Sequence, residues 1–187
     1  MNKNSNFKLD RGHTALLIID VQEKLFPLVE HSCHVMQAIQ KIVQAFQILH
    51  LPIFVSEQYP QGLGSTVATL KGLLGSEQVY WTKTTFSCLD NLEIRKQMEQ
   101  LPIKQWIVVG IEAHVCILQS VKDLLNLGKQ VVVLNDAISS RSVYDFSTAI
   151  AELRDYGARI SSTETVMFEL LRDSKASEFK EISQLIK

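Results

Sequence analysis

The sequence predicts an α/β protein: a three-layer α/β/α arrangement around a six-stranded, mainly parallel, Rossmann-like sheet. Three observations predict it. Strand-like and helix-like segments alternate from one end of the chain to the other. The strand-like runs Ala15-Leu16-Leu17-Ile18-Ile19 and Val131-Val132-Val133-Leu134 are apolar without interruption, as strands buried on both faces are. The helix-like segments carry apolar residues at helical spacing.

Residues 14–20 form the first strand and end in an aspartate. Residues 33–49 follow as a helix with Val35, Met36, Ile39, Ile42, Val43, Phe46 and Leu49 on its inner side. Pro52–Ser56 reads as the second strand, and Tyr59–Gly64 as a loop by its glycine and proline content. Residues 78–82 make a short third strand, and 90–100 a helix that stops before Pro102. Gln105–Gly110 is the fourth strand. The helix 115–127 shows Ile117, Leu118, Val121, Leu124 and Leu125 on one face and ends at Gly128. Residues 130–134 are the fifth strand. The helix 143–156 starts at a Ser142-x-x-Asp145 cap signal and stops at Gly157. Residues 158–160 suit a short sixth strand, Ser161-x-x-Glu164 opens a short helix through Leu171, and an amphipathic tail closes the chain. No linker, repeat or low-complexity tract interrupts this order, so residues 1–187 are expected to be one domain.

Composition narrows the partners. Hydrophobic residues make up 46% and charged residues 21%, with a formal net charge of −1. Such a chain has no global field that draws it to nucleic acid or to an anionic membrane. Its apolar runs fall far short of the ~20 residues that span a bilayer. Cys33, Cys88 and Cys116 have unrelated spacings and make neither a disulfide framework nor a zinc site. With the polar start Met1–Asn6, this points to a reducing, cytoplasmic setting. His13, His31, His34, His50 and His114 are scattered, so no metal site is expected. Glycine-rich phosphate loops are absent, so no nucleoside-phosphate cofactor is implied. The expected partner is a small molecule.

Three ionisable residues stand at the ends of apolar strands, where ligands bind in an open parallel sheet. Cys116 follows the fourth strand and precedes an amphipathic helix. A thiol at a helix N-terminus is pushed toward thiolate, although a free cysteine is also a common small core residue. The segment Gly110–Val115 before it is long enough to aim backbone N–H groups at one point, as an oxyanion hole requires. Asp20 is either a loop cap or a general base that takes the thiol proton. Lys83 is either a solvated strand-end lysine or a cation that holds the thiolate and keeps Asp20 ionised. Gln22, in the loop after Asp20, is a candidate to hydrogen-bond within that loop or to bind substrate. Phe26, Tyr59, Trp81 and Phe86 are aromatic and near the strand ends, so each is a candidate for the pocket wall or for the core. Cys88 is read as structural or incidental, and Cys33 ranks below Cys116.

Taken in order, Leu17-Ile18-Ile19-Asp20-Val21-Gln22, Trp81-Thr82-Lys83-Thr84-Thr85-Phe86-Ser87, Val109-Gly110-Ile111-Glu112-Ala113-His114-Val115-Cys116 and Asn135-Asp136-Ala137-Ile138-Ser139-Ser140-Arg141 resemble the isochorismatase-like family of cysteine hydrolases, over nearly the whole chain from about residue 10. The resemblance implies a catalytic triad of Asp20, Lys83 and Cys116. It also implies a cis peptide at Ile111-Glu112 and an oxyanion hole from the N–H groups of Glu112 and Cys116. Members of the family commonly assemble, so a homo-oligomer is expected. The nicotinamidases of the family carry a metal-binding Asp-x-His cluster after the second strand. Here that stretch reads Ser56-Glu57-Gln58-Tyr59-Pro60 and resembles the isochorismatase-domain subgroup whose substrates are poorly defined.

The expected activity is therefore metal-independent hydrolysis of a C–N, amide-type bond of a small molecule through a thioester. The alternative is a catalytically silent or redox-sensing member of the fold that acts by binding and assembly.

Overall fold

In the computed structural model, which describes residues 7–187, six strands form one sheet in the order β3-β2-β1-β4-β5-β6. The strands are β1 (Thr14–Ile19), β2 (Ile53–Gln58), β3 (Tyr80–Lys83), β4 (Gln105–Ile111), β5 (Gln130–Ser139) and β6 (Arg159–Ser161). Every pairing is parallel, so the expected mainly parallel sheet is wholly parallel. Eight helices connect and cover it: α1 (Ser32–Ile48), α2 (Pro60–Leu63), α3 (Ala68–Leu74), α4 (Leu92–Gln100), α5 (Leu118–Asn126), α6 (Val143–Tyr156), α7 (Thr163–Leu171) and α8 (Phe179–Gln184). No helix among the described residues is long and apolar enough to cross a membrane.

The uninterrupted apolar strands fill two cores. Leu16, Ile18, Ile107 and Val109 face one layer with α1, α7 and α8. Leu17, Ile19, Trp106 and Val108 face the other with α4, α5 and α6. Alternate residues of β1 and β4 thus enter opposite cores, and both kinds must be apolar. Burying each such side chain contributes about 1.5–3 kcal/mol, which makes β1 and β4 the rigid centre of the sheet. The chain winds outward in both directions from this pair, so the crevice beyond the ends of β1 and β4 is the switch point where ligands bind.

Gly110 sets how closely β1 and β4 approach. Its φ is +116°, and a Cβ there would lie 2.1 Å from the Ile19 carbonyl oxygen. Backbone cannot yield as a flexible side chain can.

Several elements differ from the sequence expectation. The fifth strand runs five residues further, to Ser139, because its register slips between Val108 and Gly110 of β4 and pairing then resumes at Ile138. Polar Asn135 and Asp136 lie in that slip, and Asp136 accepts hydrogen bonds from the Thr163 N–H and hydroxyl at the start of α7. Helix α3 was not read, since it is seven residues long, contains Gly72 and buries only Leu70. The Tyr59–Gly64 loop holds a single helical turn, α2. Before α5 the chain makes a wide π-type turn over Ala113–Ile117, in which the Ile117 N–H reaches the Glu112 carbonyl five residues back.

Gly110→Ala is expected to destabilise the fold by about 3 kcal/mol or more, measured by urea unfolding. A loss under about 1 kcal/mol would show that β1 and β4 are free to separate there.

Candidate active site

Asp20 follows β1 directly and adopts a left-handed conformation, φ 54°. This turn carries the chain off the sheet, while the Asp20 N–H still donates to the Ser56 carbonyl of β2 at 3.1 Å. Lys83 is the last residue of β3. Asp20 and Lys83 lie on either side of β2, and their side chains meet across its end: Lys83 Nζ is 2.6 Å from Asp20 Oδ2, with both side chains fully buried. The Ser56 hydroxyl donates to the other Asp20 oxygen, Oδ1, at 2.7 Å. Cys116 sits in the π-type turn after β4, 7% exposed, close enough to Asp20 and Lys83 for both charges to act on its thiol. The three residues singled out at three strand ends therefore converge.

The electrostatics of the thiol differ from expectation. A helix N-terminus was expected to lower its pKa. Instead, burial first and the Asp20 charge second hold the Cys116 thiol well above its ordinary range, and Lys83 offsets only part of this. Lys83 is held above the usual lysine value: burial alone would lower it, but the Asp20 charge and hydrogen bond, with Cys88 and Cys116 nearby, outweigh that. The Lys83 ammonium is thus paired with Asp20, and the thiol beside them is held in its neutral form. Asp20 is placed as an acceptor for the thiol proton.

Cys88 is no incidental loop residue. It is fully buried, and its N–H donates to Ser120 Oγ at 2.9 Å. Burial pushes this thiol up as well. Cys33 lies in the first turn of α1 and is exposed, far from any such arrangement in its own helix.

The other candidates separate into two groups. Gln22 was expected to meet substrate, yet it is fully buried. Its amide donates to the carbonyls of Gln58 and Gly64 and accepts from the Gln58 N–H. It continues the strand pairing of β2 past the end of β1 and leaves no group for a ligand. Phe26 belongs to the core under α1. Trp81 stacks on Phe54 with ring centroids 4.8 Å apart and donates to Gln97, so it too is core. Packing wins at both positions because a strand-end aromatic next to an apolar layer gains more from burial than from exposure. Tyr59 and Phe86 are 52% and 55% exposed. The Tyr59 N–H donates to the Lys83 carbonyl at 2.8 Å, and Tyr59, Gln61, Thr84 and Asn91 line a cavity of about 190 Å³ beside Lys83.

The peptide Ile111-Glu112 is cis. Its loop is tied down from the segment after β5: Arg141 Nε donates to Glu112 Oε1 at 2.7 Å, and His114 Nδ1 pairs with Ser140 Oγ at 2.9 Å. Sequence reasoning missed Ser56, Gln58 and Ser140. Only the alternation Ser56-x-Gln58, two polar residues on one face of an otherwise inner strand, hinted at the first two.

A doubly wound α/β protein with its polar cluster at the switch point of the sheet is what fold and site together define. The profile of the isochorismatase domain matches residues 14–165. Isochorismatase domain-containing protein 2 of Macaca fascicularis is 37% identical over 177 residues, covering 94% of this chain and 84% of the relative. Isochorismatase domain-containing protein 1 of Danio rerio is 37% identical over 169 residues, 90% of this chain, which spans only 59% of that longer relative. The solved structure of MAR1 ribonuclease from Caenorhabditis elegans superposes with a TM-score of 0.90 at 35% identity, covering 96% of this chain and 92% of that one. The chain belongs to the isochorismatase family, which makes it a hydrolase at the level of class.

Alkylation of Cys116 by iodoacetamide, followed by mass spectrometry of its peptide, is expected to accelerate steadily through about pH 9 without levelling off. Asp20→Asn removes the charge that holds the proton and leaves Lys83 beside the sulfur. Alkylation near neutral pH is then expected to rise about tenfold or more. A wild-type plateau below about pH 8, or slower alkylation in Asp20→Asn, would contradict the assigned protonation states.

Proposed function

We propose that the protein is a metal-independent cysteine hydrolase that cleaves the C–N bond of a small, amide-type molecule. The single observation behind this reading is the buried Asp20–Lys83 ion pair at the strand ends, with the buried Cys116 thiol near enough to feel both charges.

The chemistry follows from these contacts. As the sulfur of Cys116 attacks the carbonyl carbon, its proton passes to Asp20, and a carbon–sulfur bond forms. The N–H groups of Glu112 and Cys116, in the positions implied by the family resemblance, face the developing oxyanion. When the intermediate collapses the C–N bond breaks, and Asp20 returns its proton to the departing amine. Water then adds to the thioester, Asp20 takes a proton from it, and collapse releases the carboxylic acid and the thiol. Lys83 serves throughout by keeping Asp20 a carboxylate when it must accept a proton. The donors at the end of β2 are a serine and an amide, Ser56 and Gln58, instead of the carboxylate and imidazole of a metal site. The exposed Tyr59 forms the outer wall of the approach from the Lys83 side, and Phe86, also exposed, follows in the loop after β3.

A second reading comes from the Caenorhabditis elegans relative, which is described as a ribonuclease. RNA cleavage requires a nucleic-acid surface, and the formal net charge of −1 does not favour one.

Turnover of a panel of small primary amides by wild type and by Cys116→Ala tests the first reading, with RNA as a second substrate. Cys116→Ala is expected to lose amide turnover by about 10³-fold or more, with accumulation of an acyl adduct on Cys116 in the wild type. Equal amide turnover in the two proteins would refute nucleophilic catalysis. RNA hydrolysis with no amide turnover would favour the second reading.

A further inference from the structure

The Lys83 ammonium has three hydrogens and three acceptors around it. They are Asp20 Oδ2 at 2.6 Å, Gln58 Oε1 at 2.7 Å and, more loosely, the Thr85 carbonyl at 3.4 Å. With those three engaged, no N–H remains to meet the Cys116 sulfur directly. This is not what a thiolate-stabilising lysine would look like, and it raises the question of what holds the ammonium in that direction.

Gln58 is the residue placed to do so. It is the last residue of β2 and lies in register with Lys83 on β3, so both side chains share one face of the sheet. Its amide can point only one way. Nε2 donates to the Thr84 carbonyl at 2.8 Å while Oε1 accepts from Lys83. A flipped amide would set NH2 against the ammonium and oxygen against the Thr84 carbonyl, losing both bonds. The Gln58 backbone is itself clamped, its N–H to Gln22 Oε1 at 2.7 Å and its carbonyl from Gln22 Nε2 at 2.9 Å.

We infer that Gln58 is a positioning residue. It fixes the direction of the Lys83 ammonium, so that the cation serves the Asp20 carboxylate and not the Cys116 sulfur. Gln22 acts one step further out by holding Gln58. This inference rests on the proposed hydrolase reading for its catalytic meaning, but its structural content does not depend on the identity of a substrate.

The titratable groups that face Lys83 are few. Asp20 comes from the end of β1, Cys88 from the loop after β3 and Cys116 from the turn before α5. Glu57, next to Gln58, faces the other way and accepts from the Thr66 N–H and hydroxyl. The balance between carboxylate and sulfur is therefore set within one small cluster, where a single neutral amide decides the direction of the cation.

Two substitutions at the same position test this. Gln58→Met keeps the bulk but frees one ammonium hydrogen, which can turn to the sulfur and favour the thiolate. Gln58→Glu adds a second carboxylate on Lys83 and a negative charge near the sulfur, which disfavours the thiolate. The readout is the pH profile of Cys116 alkylation by iodoacetamide, followed by mass spectrometry, with thermal unfolding as the check on folding. Near pH 8, Gln58→Met is expected to alkylate about threefold or more faster than wild type, and Gln58→Glu about threefold or more slower. A loosened loop would move both variants in the same direction, toward faster reaction. Profiles that shift together, or that do not shift, overturn the inference. If Gln58→Glu does not fold, Gln58→Met alone decides, and an unchanged profile overturns it. Alkylation needs no substrate, so this result is separate from the amide-turnover comparison of wild type with Cys116→Ala.

Discussion

The buried pair of Asp20 and Lys83 is the constraint on which the rest of the site depends. Each charge alone in that position would cost several kcal/mol of lost hydration. Together, at 2.6 Å and with both side chains fully buried, they are tolerable because each is also hydrogen-bonded, Asp20 by Ser56 and Lys83 by Gln58. The pair requires that β1, β2 and β3 end at matching heights, since Asp20 and Lys83 reach each other across the end of β2. Sheet register is thus a functional property here, and the uninterrupted apolar runs that fix it are part of the active site's support.

The same pair acts on the state of the Cys116 thiol. Cys116 has the Asp20 charge nearby and an ammonium whose hydrogens are turned elsewhere. Proximity to the negative charge and burial both favour the thiol. In the proposed reaction, proton transfer to Asp20 and bond formation to the substrate carbon proceed together. A thiol held neutral is slow toward oxidants, which react with the thiolate.

Much of this was legible in the sequence, for physical reasons. Strands buried on both faces must be apolar throughout, so β1 and β4 announced themselves and their ends located Asp20 and the turn that carries Cys116. Lys83 was legible as a strand-end residue, but its sequence position alone also suited a solvated lysine; its burial against Asp20 is what the fold adds. What escaped detection depends on pairs. Ser56 and Gln58 look like ordinary polar residues until β3 is laid beside β2, and Gln22 looks like a ligand contact until its amide is found on the Gln58 backbone. The protonation of Cys116 was misjudged because a helix terminus is visible in sequence, whereas a carboxylate arriving from a residue almost a hundred positions earlier is not. Phe26 and Trp81 were equally ambiguous: their places near the strand ends are visible in the sequence, but which way an aromatic turns is settled by the layer it meets.

A double-mutant cycle on Asp20 and Lys83 measures the central interaction most directly. The stabilities of wild type, Asp20→Asn, Lys83→Met and the double variant are compared by chemical unfolding. The account predicts that each single change is costly and that the double variant is more stable than the sum of the two by about 3 kcal/mol, since removing both charges leaves none buried alone. Additivity within about 0.5 kcal/mol would contradict it, because the two side chains would then not share a buried site in solution.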